Sequence, residues 1–306
     1  VQSAREAARR ASCTNNLKQI GLGMHNHLSS RQHFPAGYIG VVPGASGNAW
    51  DSNNQFTWSW GALTLPYLEM QVLYDRLAPR RRRLFDHVTN GGTRADLETA
   101  MSGFLCPSDS GVQPVNDNSE RLVSVGGLGN IGTSTSNYVA SNTSYKWHFN
   151  GRYIGGPAGR GGPPTSRWSG DVPPANGIFW RDSNLNPGRI LDGLSKTIML
   201  GERTWQNQAG LALATDASNE QQSVERCLAS ATVAINGTTE DARRRGFSSP
   251  HPGVLLFLFC DGSVRTIPET IDHTPEREWH AGVIREPWSA FERLVGRDDG
   301  QPAPEL

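Results

Sequence analysis

Lysine is nearly missing from this 306-residue chain, standing only at Lys18, Lys146 and Lys196, and arginine supplies almost every other cation. A net charge is missing too. With 29 basic against 29 acidic residues, no global field draws the chain to nucleic acid or to an anionic membrane. No apolar run approaches the roughly 20 residues that cross a bilayer; the longest is Val254 to Cys260. There is no CxxC spacing for zinc or redox chemistry and no GxSxG turn for a serine nucleophile, so the chain reads as a non-enzyme without a resident cofactor. Hydrophobic residues make up only 36%, against 34 glycines and 19 prolines, which predicts many turns, long ordered loops and a minority of helix. The four cysteines, Cys13, Cys106, Cys227 and Cys260, allow two disulfides in three connectivities, or four buried free thiols. The pairing carried forward is Cys13 with Cys106.

What is present begins with a helix. Apolar or small residues recur at Val1, Ala4, Ala8, Ala11, Leu17, Ile20, Met24 and Leu28, while Gln2, Arg5, Glu6, Arg9 and Arg10 take the other side. No capping residue precedes the pattern, which is already running at Val1, so the expectation is that something helical comes before it. Unbroken, it makes a rod of roughly 40 Å at 1.5 Å per residue.

Pro35 and Gly37 end that pattern. Trp58 to Leu77 resumes helical spacing, with Pro66 in a first turn and Tyr67, Leu68, Val72, Leu73 and Leu77 facing a core. Thr93 caps a short helix from Arg94 to about Met101. Residues 111–176 are dominated by Gly, Ser, Asn and Pro and read as ordered loop, with short strands at Tyr138 to Ala140 and around Trp147 to Phe149. Thr197 to Leu200 is a strand behind a DGLS turn. Val254 to Cys260, apolar on both faces, belongs at the centre of a sheet; Asp261 and Gly262 turn it back into Ser263 to Ile267. PWSAFERLV adds a short helix near the end. No repeat and no clean linker appear, which gives a stem helix over residues 1–30 and one elaborated head over 31–306.

Several residues invite a chemical reading. His251 and Asp261 flank a strand that, extended at about 3.3 Å per residue, holds them up to roughly 30 Å apart, which favours turn and loop chemistry over a shared pocket. His25 and His27 in HNH point to nearly opposite sides of a helix and do not chelate one ion with His33. The run Arg80 to Arg83 lacks interleaved aromatics and reads as a solvated helix end or a salt-bridge surface rather than a nucleic-acid patch. Asn142 and Asn236 open N-x-S/T sequons.

Five segments, in this order, resemble a family of bacterial pilin-like proteins abundant in planctomycetes, which carry a prepilin-type cleavage and methylation signal and an otherwise uncharacterised C-terminal domain. They are AREAARRASCTNNLKQIGLGMHNH (Ala4 to His27), FPAGY (Phe34 to Tyr38), FLCPSD (Phe104 to Asp109), LDGLSKTIMLGE (Leu191 to Glu202) and HPGVLLFLFCDGSV, with nine residues between His251 and Asp261-Gly262. The resemblance implies a pilin-like α+β fold, with a long N-terminal amphipathic helix packed on an antiparallel β-sheet that carries large Gly/Pro-rich loop insertions. It also implies a precursor whose basic leader and apolar helix lie before Val1 and engage the membrane only before assembly. The function implied is that of a structural subunit in a type IV pilus-like or type II secretion pseudopilus-like assembly outside the cell or on its surface. Its partners are then copies of itself or other pilin-like subunits, met through Ala4, Ala8, Ala11, Leu17, Ile20 and Met24, and not nucleic acid. By the same analogy calcium is the ion to look for; Asp298, Asp299 and Asp117 are the nearest candidates, although no loop shows the alternating acidic spacing. The alternative is an exported glycan- or ligand-binding module with Trp50, Trp147 or Trp168 as stacking platforms.

Overall fold

The computed structural model describes residues 2–40, 57–90, 92–117, 122–125, 129–144, 175–215, 220–275, 289–301 and 304. Val1, the strand expected at 147–149 and the three tryptophan platforms at 50, 147 and 168 lie outside them. Helix α1 spans Gln2–Arg31. Five strands, β1 (Tyr138–Thr143), β2 (Ile198–Glu202), β3 (Leu228–Ser230), β4 (Val254–Phe259) and β5 (Val264–Pro268), form the main sheet in the order β3-β1-β2-β4-β5. The expected antiparallel sheet needs one correction: β3 runs parallel to β1, with Leu228 opposite Ala140. The other three pairings are antiparallel, with Leu258 opposite Leu200 and Leu256 opposite Thr266.

The pleat explains why β4 is apolar throughout. Leu256 and Leu258 point with Tyr138, Ala140 and Leu200 into the core shared with α1. Leu255, Phe257 and Phe259 point the other way, toward Val139, Phe247 and the helix Ala290–Val295, through Phe291 and Leu294. Both faces are therefore covered, and β4 is an interior strand. Asp261 and Gly262 make the β4–β5 turn, where Gly262 takes φ +84° and the Asp261 carboxylate accepts from the Ser263 amide at 2.8 Å.

Helix α1 corrects the expected single stripe. At about 100° per residue, the six-residue step from Ala11 to Leu17 turns the pattern by about 240°, onto the opposite side of the helix. Cys13, Leu17, Ile20 and Met24 form the inner face and are at most 2% exposed. Burial of Leu17, Ile20 and Met24 contributes about 1.5–3 kcal/mol each. Gly21 lets the backbone close on the sheet: a Cβ there would stand 2.8 Å from Leu258 Cδ1. Ala4, Ala8 and Ala11 are exposed on the outer face, together with Leu22, which is 56% exposed. The residues expected as one assembly surface are thus two surfaces, and Leu17, Ile20 and Met24 are occupied by the chain's own core.

Three further expectations change. The single helix expected in 58–77 is a strand Trp58–Ser59, a helix Trp60–Thr64, a 3₁₀ turn Leu65–Leu68 carrying Pro66, and a helix Gln71–Leu77. In the last of these Leu73 and Leu77 are buried but Val72 is 67% exposed. Within the stretch expected as loop from 111 to 176, the strand expected at Tyr138 to Ala140 runs on to Thr143 as β1 and an unexpected strand spans Thr133–Ser136, all of whose residues are buried. Several of their polar groups bond internally: Ser141 Oγ donates to Ile198 O at 2.6 Å and Asn142 Nδ2 to Phe179 O at 2.6 Å, whereas Thr135 Oγ1 and Asn142 Oδ1 are buried without a hydrogen bond. Burial of Asn142 also closes that sequon to glycosylation of the folded chain. The variable stretch before Arg245 supplies edge strand β3 and the helices Glu220–Cys227 and Glu240–Arg245.

Candidate functional site

Four of the quoted segments meet at one place under the N-terminal half of α1. Cys13 of α1 is joined by a disulfide to Cys106 of FLCPSD, across 93 residues of sequence. Cys227 and Cys260 are buried free thiols, so the chain has one disulfide and two thiols rather than either uniform alternative. Burial pushes both thiols up, out of reach of ionisation at neutral pH. Asn137, just before β1, braces the knot: its Oδ1 accepts from the Cys106 amide at 2.8 Å, and its Nδ2 donates to Asp109 Oδ2 at 2.8 Å and to Arg203 O at 3.0 Å. Asn16 of α1 donates to Leu105 O at 2.8 Å.

His251 stands against this disulfide, fully buried. Its Nδ1 lies 2.7 Å from Glu6 Oε1 on α1, its Nε2 3.3 Å from Glu202 Oε1 at the end of β2, and Nε2 also lies 3.7 Å from Cys106 Sγ. Burial opposes a charge on the imidazole, yet the contacts with Glu202 and Glu6 outweigh it and hold the His251 pKa above its ordinary value. Partial burial raises the Glu6 carboxyl, and hydrogen bonds from His251, Arg9 and Ser108 overcome this and hold it low. Glu202 is itself fixed through Oε2, which accepts from the Leu256 amide and Ser249 Oγ, both at 2.8 Å. The cluster sets the His251 imidazole between two carboxylates beside a disulfide, and it ties α1 to the end of β2 and to the segment leading into β4.

Asp261 and Gly262 do not join it. They sit in the turn at the far end of β4, where Asp261 binds Ser263 and Arg265 and its amide donates to Leu194 O at 3.0 Å. The calcium candidates stay apart: Asp117 is exposed beyond a short strand, Asp298 lies 3.4 Å from Arg297, and the Asp299 carboxylate accepts from the Gln301 amide. Among the described residues the group of His, Cys, Asp and Glu donors close enough to share an ion is Cys13, Cys106, Glu202 and His251. Sequence reasoning named His251 and both cysteines, gave Glu6 a one-turn pairing with Arg10 where the structure pairs it with Arg9 at 2.8 Å, and gave no role to Glu202, Asn137 or Asp109. Glu202 and Asp109 close two of the quoted segments, and that was the available signal.

His27 has a structural role. His27 donates from Nδ1 to His33 O at 3.0 Å and accepts at Nε2 from Arg80 at 3.2 Å, which requires the neutral ring. Burial, aided by the Arg80 charge, lowers its pKa to about 4. Between roughly pH 6.5 and 4 the unfolded chain therefore takes up a proton that the folded chain refuses, so stability falls as pH falls through that window, by up to about 3 kcal/mol. Urea unfolding at pH 7.5, 6, 5 and 4.5 measures this, and His27→Gln should flatten the profile; an unchanged slope in that variant contradicts the assignment. Arg83 pairs with Asp86 at 2.7 Å, so two of the four arginines at 80–83 serve intramolecular contacts.

An open cleft of about 860 Å³ runs along α1, lined by Ile20, Leu22, Tyr67, Leu68, Met70 and Met101. The model of a family described as "Protein of unknown function (DUF1559)" matches residues 2–274. No curated protein and no solved structure is significantly similar to the chain.

Proposed function

The chain belongs to the DUF1559 family of proteins of unknown function, and from that premise we propose that it is a structural subunit of a pilus-like or pseudopilus-like assembly at the cell surface. The supporting observation is the outer face of α1. Ala4, Ala8, Ala11 and Leu22 fall within about 60° of one another on the helical wheel, opposite the residues that hold α1 to the sheet, and all four are exposed. Small side chains at Ala4, Ala8 and Ala11 let a second helix approach closely there; Asn15 and Lys18 follow on the same side, and beyond them Leu22 reaches the rim of the cleft. The inner face gives such a helix a rigid mount through the disulfide and the His251 cluster. Copies of the chain, or other subunits with the same stem, are the partners this surface fits.

Ala8→Cys provides the test. Under mild oxidation at rising protein concentration it should give disulfide-linked dimers through stem-to-stem contact, while a cysteine at exposed Asn184 should not. In the native cell envelope, Ala8→Glu should abolish fibrous or tubular particles seen by electron microscopy. Sedimentation as a monomer at all concentrations, with equal cross-linking at both positions, overturns the proposal.

A further inference from the structure

The cluster under α1 has the donors of a closed metal site as well as those of a disulfide. Cys13 Sγ, Cys106 Sγ, His251 Nε2 and Glu202 Oε1 come from four separate segments, all are buried, and all lie within 4.8 Å of one another. Two of the edges already match a tetrahedral ion: His251 Nε2 is 3.3 Å from Glu202 Oε1 and 3.7 Å from Cys106 Sγ. Bonds of about 2.0–2.1 Å to N and O and about 2.3 Å to S give edges of about 3.3 and 3.6 Å. Glu202 carries the second, independent observation. Its side chain is 1% exposed and Oε2 is satisfied twice, while Oε1, aimed into the cluster, lacks a well-aligned hydrogen bond and meets His251 Nε2 as an ion-pair contact at 3.3 Å. Behind the imidazole, Glu6 Oε1 lies 2.7 Å from Nδ1, the carboxylate–histidine arrangement that orients a metal-binding ring and leaves Nε2 for the ion.

Independently of the stem reading, we infer that the reduced chain binds one divalent cation of the zinc class through Cys13, Cys106, His251 and Glu202, and that this state and the disulfide exclude each other. Two thiolates, an imidazole and one carboxylate select a borderline-soft tetrahedral ion over calcium or magnesium. Four protein ligands leave no open position, so the ion is structural. The exchange balances with a dithiol reductant. Its two sulfurs lose two electrons and two protons and join to each other, while the Cys13–Cys106 bond accepts them and breaks into two thiols. The cation then displaces both thiol protons to solvent as the two metal–sulfur bonds form. A disulfide donor reverses both steps and expels the ion.

Cobalt(II) titration reads the site directly. Protein reduced with dithiothreitol and desalted without oxygen should take up one Co²⁺ per chain, with thiolate-to-cobalt charge-transfer and tetrahedral ligand-field absorption, displaced by one equivalent of Zn²⁺. The disulfide form should take up none. His251→Ala and Glu202→Gln should each weaken binding at least about tenfold, and Glu6→Gln by about 10–100-fold. Replacing Cys227 and Cys260 together by serine should leave binding intact. If reduction melts the chain, as followed by far-ultraviolet circular dichroism, one equivalent of Zn²⁺ should restore it. A folded reduced chain that takes up no ion, uptake unchanged in His251→Ala, or a melted chain that zinc fails to restore overturns the inference.

Discussion

Cys13→Ser together with Cys106→Ser is expected to destabilise the chain by about 4–5 kcal/mol, from the loop-closure entropy of a crosslink spanning this much chain. The two residues are 93 apart in sequence, and both sulfurs are buried beside His251. Without the bond, α1 keeps Leu17, Ile20 and Met24 in the core but loses the covalent tie to FLCPSD. Its first turns then depend on Glu6 with His251 and on Asn16 with Leu105 O. Urea denaturation of the double variant against the oxidised wild type, both in chelator, measures the loss. A difference below about 1 kcal/mol means the folded chain or the unfolded ensemble does not feel the crosslink as this entropy argument requires.

The second large effect is at Arg203, directly after β2. Its side chain is wholly buried and donates three hydrogen bonds to backbone carbonyls: Nε to Gly246 O at 2.9 Å, Nη1 to Glu225 O at 2.6 Å and Nη2 to Leu228 O at 2.7 Å. Burial lowers its pKa to about 10, with the Glu225 charge opposing, so it stays protonated at neutral pH. One guanidinium thus fastens β2 to the helix Glu220–Cys227, to edge strand β3 and to the turn after the helix Glu240–Arg245. Arg203→Ala leaves three buried carbonyls without donors and a cavity besides, an expected cost of about 3–5 kcal/mol. Arg203→Lys, with a point charge in place of the planar fork, should recover less than half of that. Hydrogen exchange should show β3 losing protection first. Arg203→Ala within about 1 kcal/mol of wild type, or a lysine variant as stable as wild type, refutes this role.

The parts of the fold legible in the sequence are those where one residue type has one use. Asp261 and Gly262 announce a turn because few residues take positive φ there, and the run behind them reads as an interior strand because no polar side chain interrupts it. Thr93 is legible as a cap; its Oγ1 accepts from the Asp96 amide, though the helix runs only Arg94–Leu97 and stops short of Met101. The strand Thr133–Ser136 and the part of β1 beyond the expected Tyr138 to Ala140 are illegible for the opposite reason. Their Ser, Thr and Asn side chains look like loop chemistry, and become core because tertiary carbonyls take up donors such as Ser134 Oγ, Ser141 Oγ and Asn142 Nδ2. The stem was half legible: spacing showed a helix, but a list of apolar positions hides a phase slip between Ala11 and Leu17 that only the wheel exposes. The site under α1 was least legible. Its ligating groups are one per segment, and spacing rules find only clusters that are local in sequence.

The covalent tie at Cys13 also fixes how the molecule answers to tension. A pull on the first turns of α1 travels down the helix for about three turns and then leaves it, through the disulfide, for Cys106 and the segment hydrogen-bonded to Asn137 beside β1. Only the turns ahead of Cys13 can be drawn out as free chain. The inner face from Leu17 to Met24 is shielded from the load, and the core keeps its packing while the first turns of α1 are stretched. Once that one bond is reduced and no ion takes its place, the same pull passes on to Leu17, Ile20 and Met24, so a single two-electron step decides where α1 yields first.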